Sequence, residues 1–215
     1  MTEISRIILF GGSFDPIHTG HLSVAQCAIE TLAADKLFFI PARRSPHKQN
    51  NPSAAGRDRM EMIRLAVEGK IYFQVSDCEL LRPQPSYTLD TVMHFHKILA
   101  SDTQLFWLAG ADAVSDLPQW RSIERVMQLC RICIMYRGGF EKPDFDILKD
   151  RFSPEQIASL RRDTIQTPLV DISSSQIRGQ LATGLPSPQG LPEPVLRYIR
   201  QKGLYGYIPP SLDRK

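Results

Sequence analysis

The chain has 215 residues, 42% hydrophobic and 23% charged, with a formal net charge of +3. That is enough apolar material for the core of one domain over residues 1–215, and too little charge for a nucleic-acid-binding surface, so no nucleic-acid partner is expected. No run approaches the roughly 20 apolar residues of a membrane span, and Met1-Thr2-Glu3 does not open a signal peptide. A cytoplasmic protein with no membrane partner is the expectation.

Ile7-Ile8-Leu9-Phe10 reads as a first strand, and Leu22 to Leu32 as the helix that follows. Between them lies Gly11-Gly12-Ser13-Phe14-Asp15-Pro16-Ile17-His18-Thr19-Gly20-His21. Glycines at a strand-to-helix turn let backbone N–H groups approach a ligand, and the helix start carries partial positive charge, so the turn suits phosphate. It contains neither a P-loop Gly-Lys-Ser/Thr nor a G-x-G-x-x-G. His18 and His21, three apart, therefore become the side-chain donors to phosphate. A solvated helix start and a two-histidine metal site are the plainer alternatives, but no third ligand follows at a zinc spacing.

The pattern resembles the H-x-G-H signature of the nucleotidyltransferases, and the longer GGSFDPIHTGH resembles the nicotinate mononucleotide adenylyltransferases. The resemblance implies transfer of the adenylyl group of ATP to nicotinate mononucleotide, giving nicotinate adenine dinucleotide and pyrophosphate. It implies that Gly12, Ser13, Phe14, His18 and His21 bind ATP, with His21 nearest the developing charge.

Lys36 to Ile40 is a second strand, ended by Pro41. Ala42 to Ser53 is polar and basic, with Arg43, Arg44, His47 and Lys48, and reads as a mobile loop over the nucleotide; a merely solvated loop is the alternative. Lys48 is the expected triphosphate contact. Ala55 to Glu68 is a helix and Ile71 to Val75 a third strand. Ser86-Tyr87-Thr88 opens a helix whose apolar stripe is Leu89, Val92, Met93, His96 and Leu99, with Ser86 or Thr88 as cap. His94 and His96 face different ways and make no joint site. The resemblance places Tyr87 and Thr88 beside the pyridine ring; capping alone would also explain the hydroxyls.

Leu105 to Ala109 is a fourth strand ending in Gly110-Ala111-Asp112, where a carboxylate can accept from ribose hydroxyls. Trp120 offers a stacking face, although tryptophan is as readily core, and the resemblance tips it toward nicotinate. Cys130 and Cys133 have C-x-x-C spacing but run into a fifth strand, Ile132 to Tyr136, and read as core thiols. Arg137 follows that strand as an anion-binding candidate on the substrate side. Phe140 to Arg162 shows no chemistry beyond a helix start at Ser153-Pro154-Glu155.

After the strand-like Leu169-Val170-Asp171, the run Ile172-Ser173-Ser174-Ser175-Gln176-Ile177-Arg178 supplies caps, hydroxyls and a guanidinium at a helix start. It resembles the superfamily's I-S-S-T-x-I-R, with Ser175 for threonine. Ser174, Ser175 and Arg178 are thus expected on the triphosphate, and His18, His21 and Arg178 form the catalytic set. Leu191 to Ile199 forms a last helix, stopped by Gly203.

The expected fold is a single Rossmann-like α/β domain, a doubly wound parallel sheet with the site at its carboxyl edge. Magnesium is expected on the ATP phosphates, with no protein metal ligands named. Pantetheine-phosphate adenylyltransferase and a non-catalytic nucleotide-sensing module remain the alternatives.

Overall fold

The computed structural model describes residues 5–44 and 52–207. Six strands form one parallel sheet: β1 (Arg6–Gly12), β2 (Lys36–Pro41), β3 (Phe73–Val75), β4 (Gln104–Gly110), β5 (Arg131–Arg137) and β6 (Thr164–Thr167). Their spatial order is β3-β2-β1-β4-β5-β6, with every neighbouring pair parallel. The chain moves one way from β1 to β3 and the other way from β4 to β6. That reversal opens a crevice at the carboxyl ends of β1 and β4.

The β1 residues alternate between two cores. Ile8 and Phe10 join one, with Leu37, Phe39 and Phe106, while Ile7 and Leu9 join the other, with Leu105, Trp107 and Ile134. The first core is closed by α1 (Thr19–Leu32), α2 (Gly56–Val67), α6 (Ser174–Ala182) and α7 (Glu193–Lys202); the second by α3 (Thr88–Ile98), α4 (Ile123–Leu129) and α5 (Pro154–Arg162). The fold is therefore the expected doubly wound Rossmann-like α/β architecture.

Several local readings need correction. Gly11 and Gly12 are the last residues of β1, so the turn begins only at Ser13. A Cβ on Gly12 would sit 2.9 Å from the Phe14 ring, so the glycine is needed for that ring to fold back over the strand end. The last strand is Thr164–Thr167, not Leu169-Val170-Asp171. Pro168 follows it and has no N–H to extend the ladder. On α3 the buried residues are Thr91, Val92 and Phe95, whereas Met93 is 52% exposed. Neither Ser86 nor Thr88 caps that helix by its side chain; Tyr87 occupies the cap position.

The remaining punctuation is as read. Ser153 caps α5 through a capping box with Gln156, and Gly203 ends α7 at φ 61°. Cys130 lies in one core and Cys133 in the other, with burial pushing both thiols upward. No helix among the described residues is long and apolar enough to cross a membrane.

The edge strand β6 is fastened at its start. Arg131 donates its Nε to the buried Asp163 at 2.8 Å and adds a second bond through its terminal nitrogen, while the Asp163 carbonyl accepts from Ile134. Asp163→Ala is expected to lower unfolding free energy by about 1–3 kcal/mol, because Arg131 loses a bidentate partner but is exposed enough to regain water. Urea denaturation checks this, and an unchanged midpoint would mean that the pair does not hold β6.

Candidate active site

The crevice holds a cleft of about 1480 Å³. Its walls bring together Ser13, Phe14, His18, His21, Asp112, Arg137, Ser174, Ser175 and Arg178, residues far apart in sequence. Gly12 sits just behind them at the end of β1. Tyr87, Thr88 and Trp120 are not in these walls. Tyr87 and Thr88 start α3, Trp120 ends a 3-10 turn (Leu117–Gln119) and packs against the second core, and the Arg121 guanidinium lies 4.7 Å above the Tyr87 ring. Lys48 lies outside the described residues.

The turn after β1 is built under strain and held from several directions. Phe14 takes φ 47°, the left-handed region, with its side chain buried edge-on against Phe10, Phe39 and His21. The buried Asp15 carboxylate accepts from the backbone N–H of Ser53 at 2.7 Å, that of Ala54 at 3.0 Å and the Tyr205 hydroxyl at 2.8 Å. Arg59, 2% exposed, donates to the carbonyls of Ser13 at 2.7 Å and Ala54 at 3.2 Å. From α6, Ser174 donates to the Pro16 carbonyl at 2.9 Å and Arg178 to the Asp15 carbonyl at 2.7 Å. Sequence reading quoted Asp15 without giving it a role and missed Arg59 and Tyr205. The one available signal was a carboxylate beside proline in a glycine turn, which called for buried donors.

His18 and His21 stack at 3.8 Å between ring centroids. The His18 N–H donates to His21 Nδ1 at 3.3 Å, so His21 fills the place that Glu or Gln takes in an ordinary capping box. With Nδ1 accepting, the neutral ring carries its proton on Nε2 and can donate from that side. His18 is 6% exposed, and its Nδ1 meets no hydrogen-bond partner among the described residues. Burial, reinforced by the Arg137 guanidinium, pushes its pKa down to about 4. His18 is thus neutral near pH 7 and offers a ligand a hydrogen bond, not a cation.

The positive character of the cleft comes from elsewhere. Arg137, at the end of β5, stands close enough to His18 to act on it, so it belongs with the histidines. Arg178 bonds the Ser175 hydroxyl at 3.1 Å as well as the Asp15 carbonyl, which leaves part of its donor fork for an anion. The starts of α1 and α6 add their dipoles. Ser173 caps α6. Among the described residues no group of three His, Cys, Asp or Glu side chains converges to hold a metal ion.

The depressed His18 pKa sets a pH dependence. Between about pH 4 and 6.5 the unfolded chain binds the proton that the folded chain refuses, so stability falls as pH drops through that window. Urea denaturation from pH 7 to 4 should show this loss, and His18→Gln should remove part of the slope. Equal slopes in the two proteins would contradict the buried neutral imidazole.

A family model described as cytidylyltransferase-like matches residues 9–180. A Dehalococcoides mccartyi protein named probable nicotinate-nucleotide adenylyltransferase is 37% identical over 197 residues, 92% of this chain and 95% of its own length. A Moorella thermoacetica protein of the same name is 35% identical over 213 residues, covering 99% and 96%. The fold matches the Plasmodium falciparum nicotinic acid mononucleotide adenylyltransferase complexed with NaAD, with TM-score 0.68 and 20% identity over 95% of this chain and 98% of that one. Matched along nearly its whole length, this chain belongs to the nicotinate-nucleotide adenylyltransferase family of cytidylyltransferase-like nucleotidyltransferases.

Proposed function

We propose that the cleft joins ATP to nicotinate mononucleotide, giving nicotinate adenine dinucleotide and pyrophosphate. The observation that carries this reading is the convergence of two helix starts, α1 with His18 and His21 and α6 with Ser175 and Arg178, on one cleft at the sheet's switch point. The names of the relatives support the substrates.

A phosphate oxygen of the mononucleotide attacks the α-phosphorus of ATP. The bond from that phosphorus to the bridging oxygen breaks, and its electron pair leaves with pyrophosphate. No protein nucleophile enters; the protein contributes position and charge stabilisation. His21 Nε2–H donates as charge builds, His18 donates as a neutral ring, Arg178 and Ser175 face the departing pyrophosphate, and Arg137, beside His18, offers its charge to the mononucleotide's phosphate. Asp112, on the 3-10 turn (Ala111–Ala113) after β4, is placed to accept from ribose hydroxyls. Ser174 serves through Pro16. Magnesium would travel on the phosphates and shield their charge.

The acceptor ring is placed on the same carboxyl edge, outside the main cleft. The N–H of Ser86, just before α3, donates to the Arg44 carbonyl beyond β2, and the segment after Asp112 runs on to Trp120. These points flank the end of β1 on either side. Tyr87, Thr88 and Trp120 then surround the pyridine ring. The start of α3 favours a carboxylate over a carboxamide, and Arg121, which stands over Tyr87 and pairs with Asp90 at 3.6 Å, keeps donors to add to it. A cytoplasmic location fits this chemistry.

Pyrophosphate release with ATP and each mononucleotide in parallel tests the proposal. Nicotinate mononucleotide should be preferred by roughly ten- to a hundredfold in kcat/KM. His21→Ala should lower kcat far more than it weakens ATP binding. Equal use of the two mononucleotides would remove the acceptor placement, and a His21→Ala enzyme changed only in KM would remove the role of that imidazole.

A further inference from the structure

Glu79 lies outside the cleft walls and is 3% exposed. It accepts the Thr91 hydroxyl at 2.6 Å, and the nearby Ser86 hydroxyl favours its charged form. Thr91 also lies 3.4 Å from the Tyr87 carbonyl, but one hydroxyl hydrogen goes to the nearer acceptor. The oxygen of Thr91 is then available to accept, and Arg82 donates to it. Arg82 also bonds the Asp90 carbonyl at 2.8 Å and stands 3.9 Å from Glu79. The hydrogen bonds thus run in one direction, from Arg82 to Thr91 to Glu79, and need a carboxyl oxygen at their end.

The same cluster reaches across to the segment after β2. Ser86 Oγ accepts from the Arg43 N–H at 3.1 Å, the Ser86 N–H donates to the Arg44 carbonyl at 3.0 Å, and the Arg43 guanidinium bonds the Arg82 carbonyl at 2.9 Å. Arg43 therefore spends its charge on structure. At α3 these bonds hold the Asp90 carbonyl and the Thr91 hydroxyl in its first turn and Ser86 just before it, on both sides of Tyr87–Thr88. α3 has no side-chain cap of its own, so these bonds are the polar ties on its first turn that the described residues show.

We propose that Glu79 is a positioning residue for the acceptor substrate, setting the first turn of α3 through Thr91, Arg82 and Ser86. The inference rests on placing the mononucleotide at Tyr87–Thr88. Burial raises the Glu79 pKa while the two hydroxyls and Arg82 oppose that rise, as a carboxylate held by donors requires.

Steady-state kinetics of the full chain, with the KM of each substrate measured separately, test it. Glu79→Ala should raise the KM for nicotinate mononucleotide about tenfold and leave the KM for ATP within about twofold. Glu79→Gln should recover part of the loss, because its amide oxygen still accepts. Thr91→Val keeps the side-chain volume, should shift the same KM, and carries the test if Glu79→Ala does not fold. A purely structural role would lower thermal stability and the active fraction without separating the two KM values, and would overturn the inference. So would folded Glu79→Ala and Thr91→Val enzymes with an unchanged acceptor KM while Tyr87→Ala raises it. If Tyr87→Ala also leaves that KM unchanged, the placement of the ring falls and the inference with it. A wild-type chain that uses neither mononucleotide removes the activity itself, and again the inference with it.

Discussion

Asp15 is the point at which the two helices that open onto the cleft, α1 and α6, become one device. Its carboxylate is tied to the segment before α2 and to the C-terminal Tyr205, while its carbonyl is tied to Arg178 on α6. A carboxylate this deeply buried is tolerable only because three donors surround it and two arginines stand near, Arg178 by contact and Arg59 through its charge. The arrangement lets a turn with a left-handed phenylalanine persist, and that turn delivers His18 to the start of α1. Ser174, which bonds Pro16, sets the facing helix against the same turn. Strain at the site is thus offset by hydrogen bonds from α2, α6 and the chain's end.

This clamp also shapes the electrostatics. His18, buried beside Arg137 and stacked on His21, stays neutral, so in the proposed reaction it would serve as a directed hydrogen-bonding group and not as a cation. The positive charge on the cleft wall sits instead on arginines at the end of β5 and within α6, Arg137 and Arg178, with the two helix dipoles beside them. Such a division suits a reaction in which the protein forms no covalent intermediate. In the proposed reaction, neutral donors aimed at one position would discriminate by direction, while the cations would steady the whole polyanion.

Much of this was legible in the sequence because the signals were local. Strand, glycine turn and paired histidines announced β1 and α1, and Ser173-Ser174-Ser175 announced α6. What escaped depends on contacts between remote segments. Tyr205 reaches Asp15 across 190 positions, and nothing near Tyr205 points to it. β6 was missed because four residues alternating at a sheet edge give little hydrophobic signal, and its anchor, Asp163, is defined by Arg131 on another strand. On α3 the stripe read through Met93 and His96 missed the inward face, which carries Phe95 and the polar Thr91 buried against Glu79. Ser174 was legible as a hydroxyl at a helix start; that it would bond a carbonyl of the first turn was not.

The central claim, that the phosphate turn is held in its working geometry from outside the cleft, is tested most directly by Tyr205→Phe. This change removes one hydroxyl that bonds Asp15 and lines no part of the cleft. Burial and the neighbouring carboxylate push the Tyr205 phenol well up, so in the wild type it remains a donor at any working pH. The account predicts that kcat/KM for ATP falls by roughly five- to tenfold, with the KM for nicotinate mononucleotide unchanged, as expected for the loss of one hydrogen bond to a buried charge. A variant with wild-type kcat/KM for ATP would show that the turn keeps its geometry without the clamp.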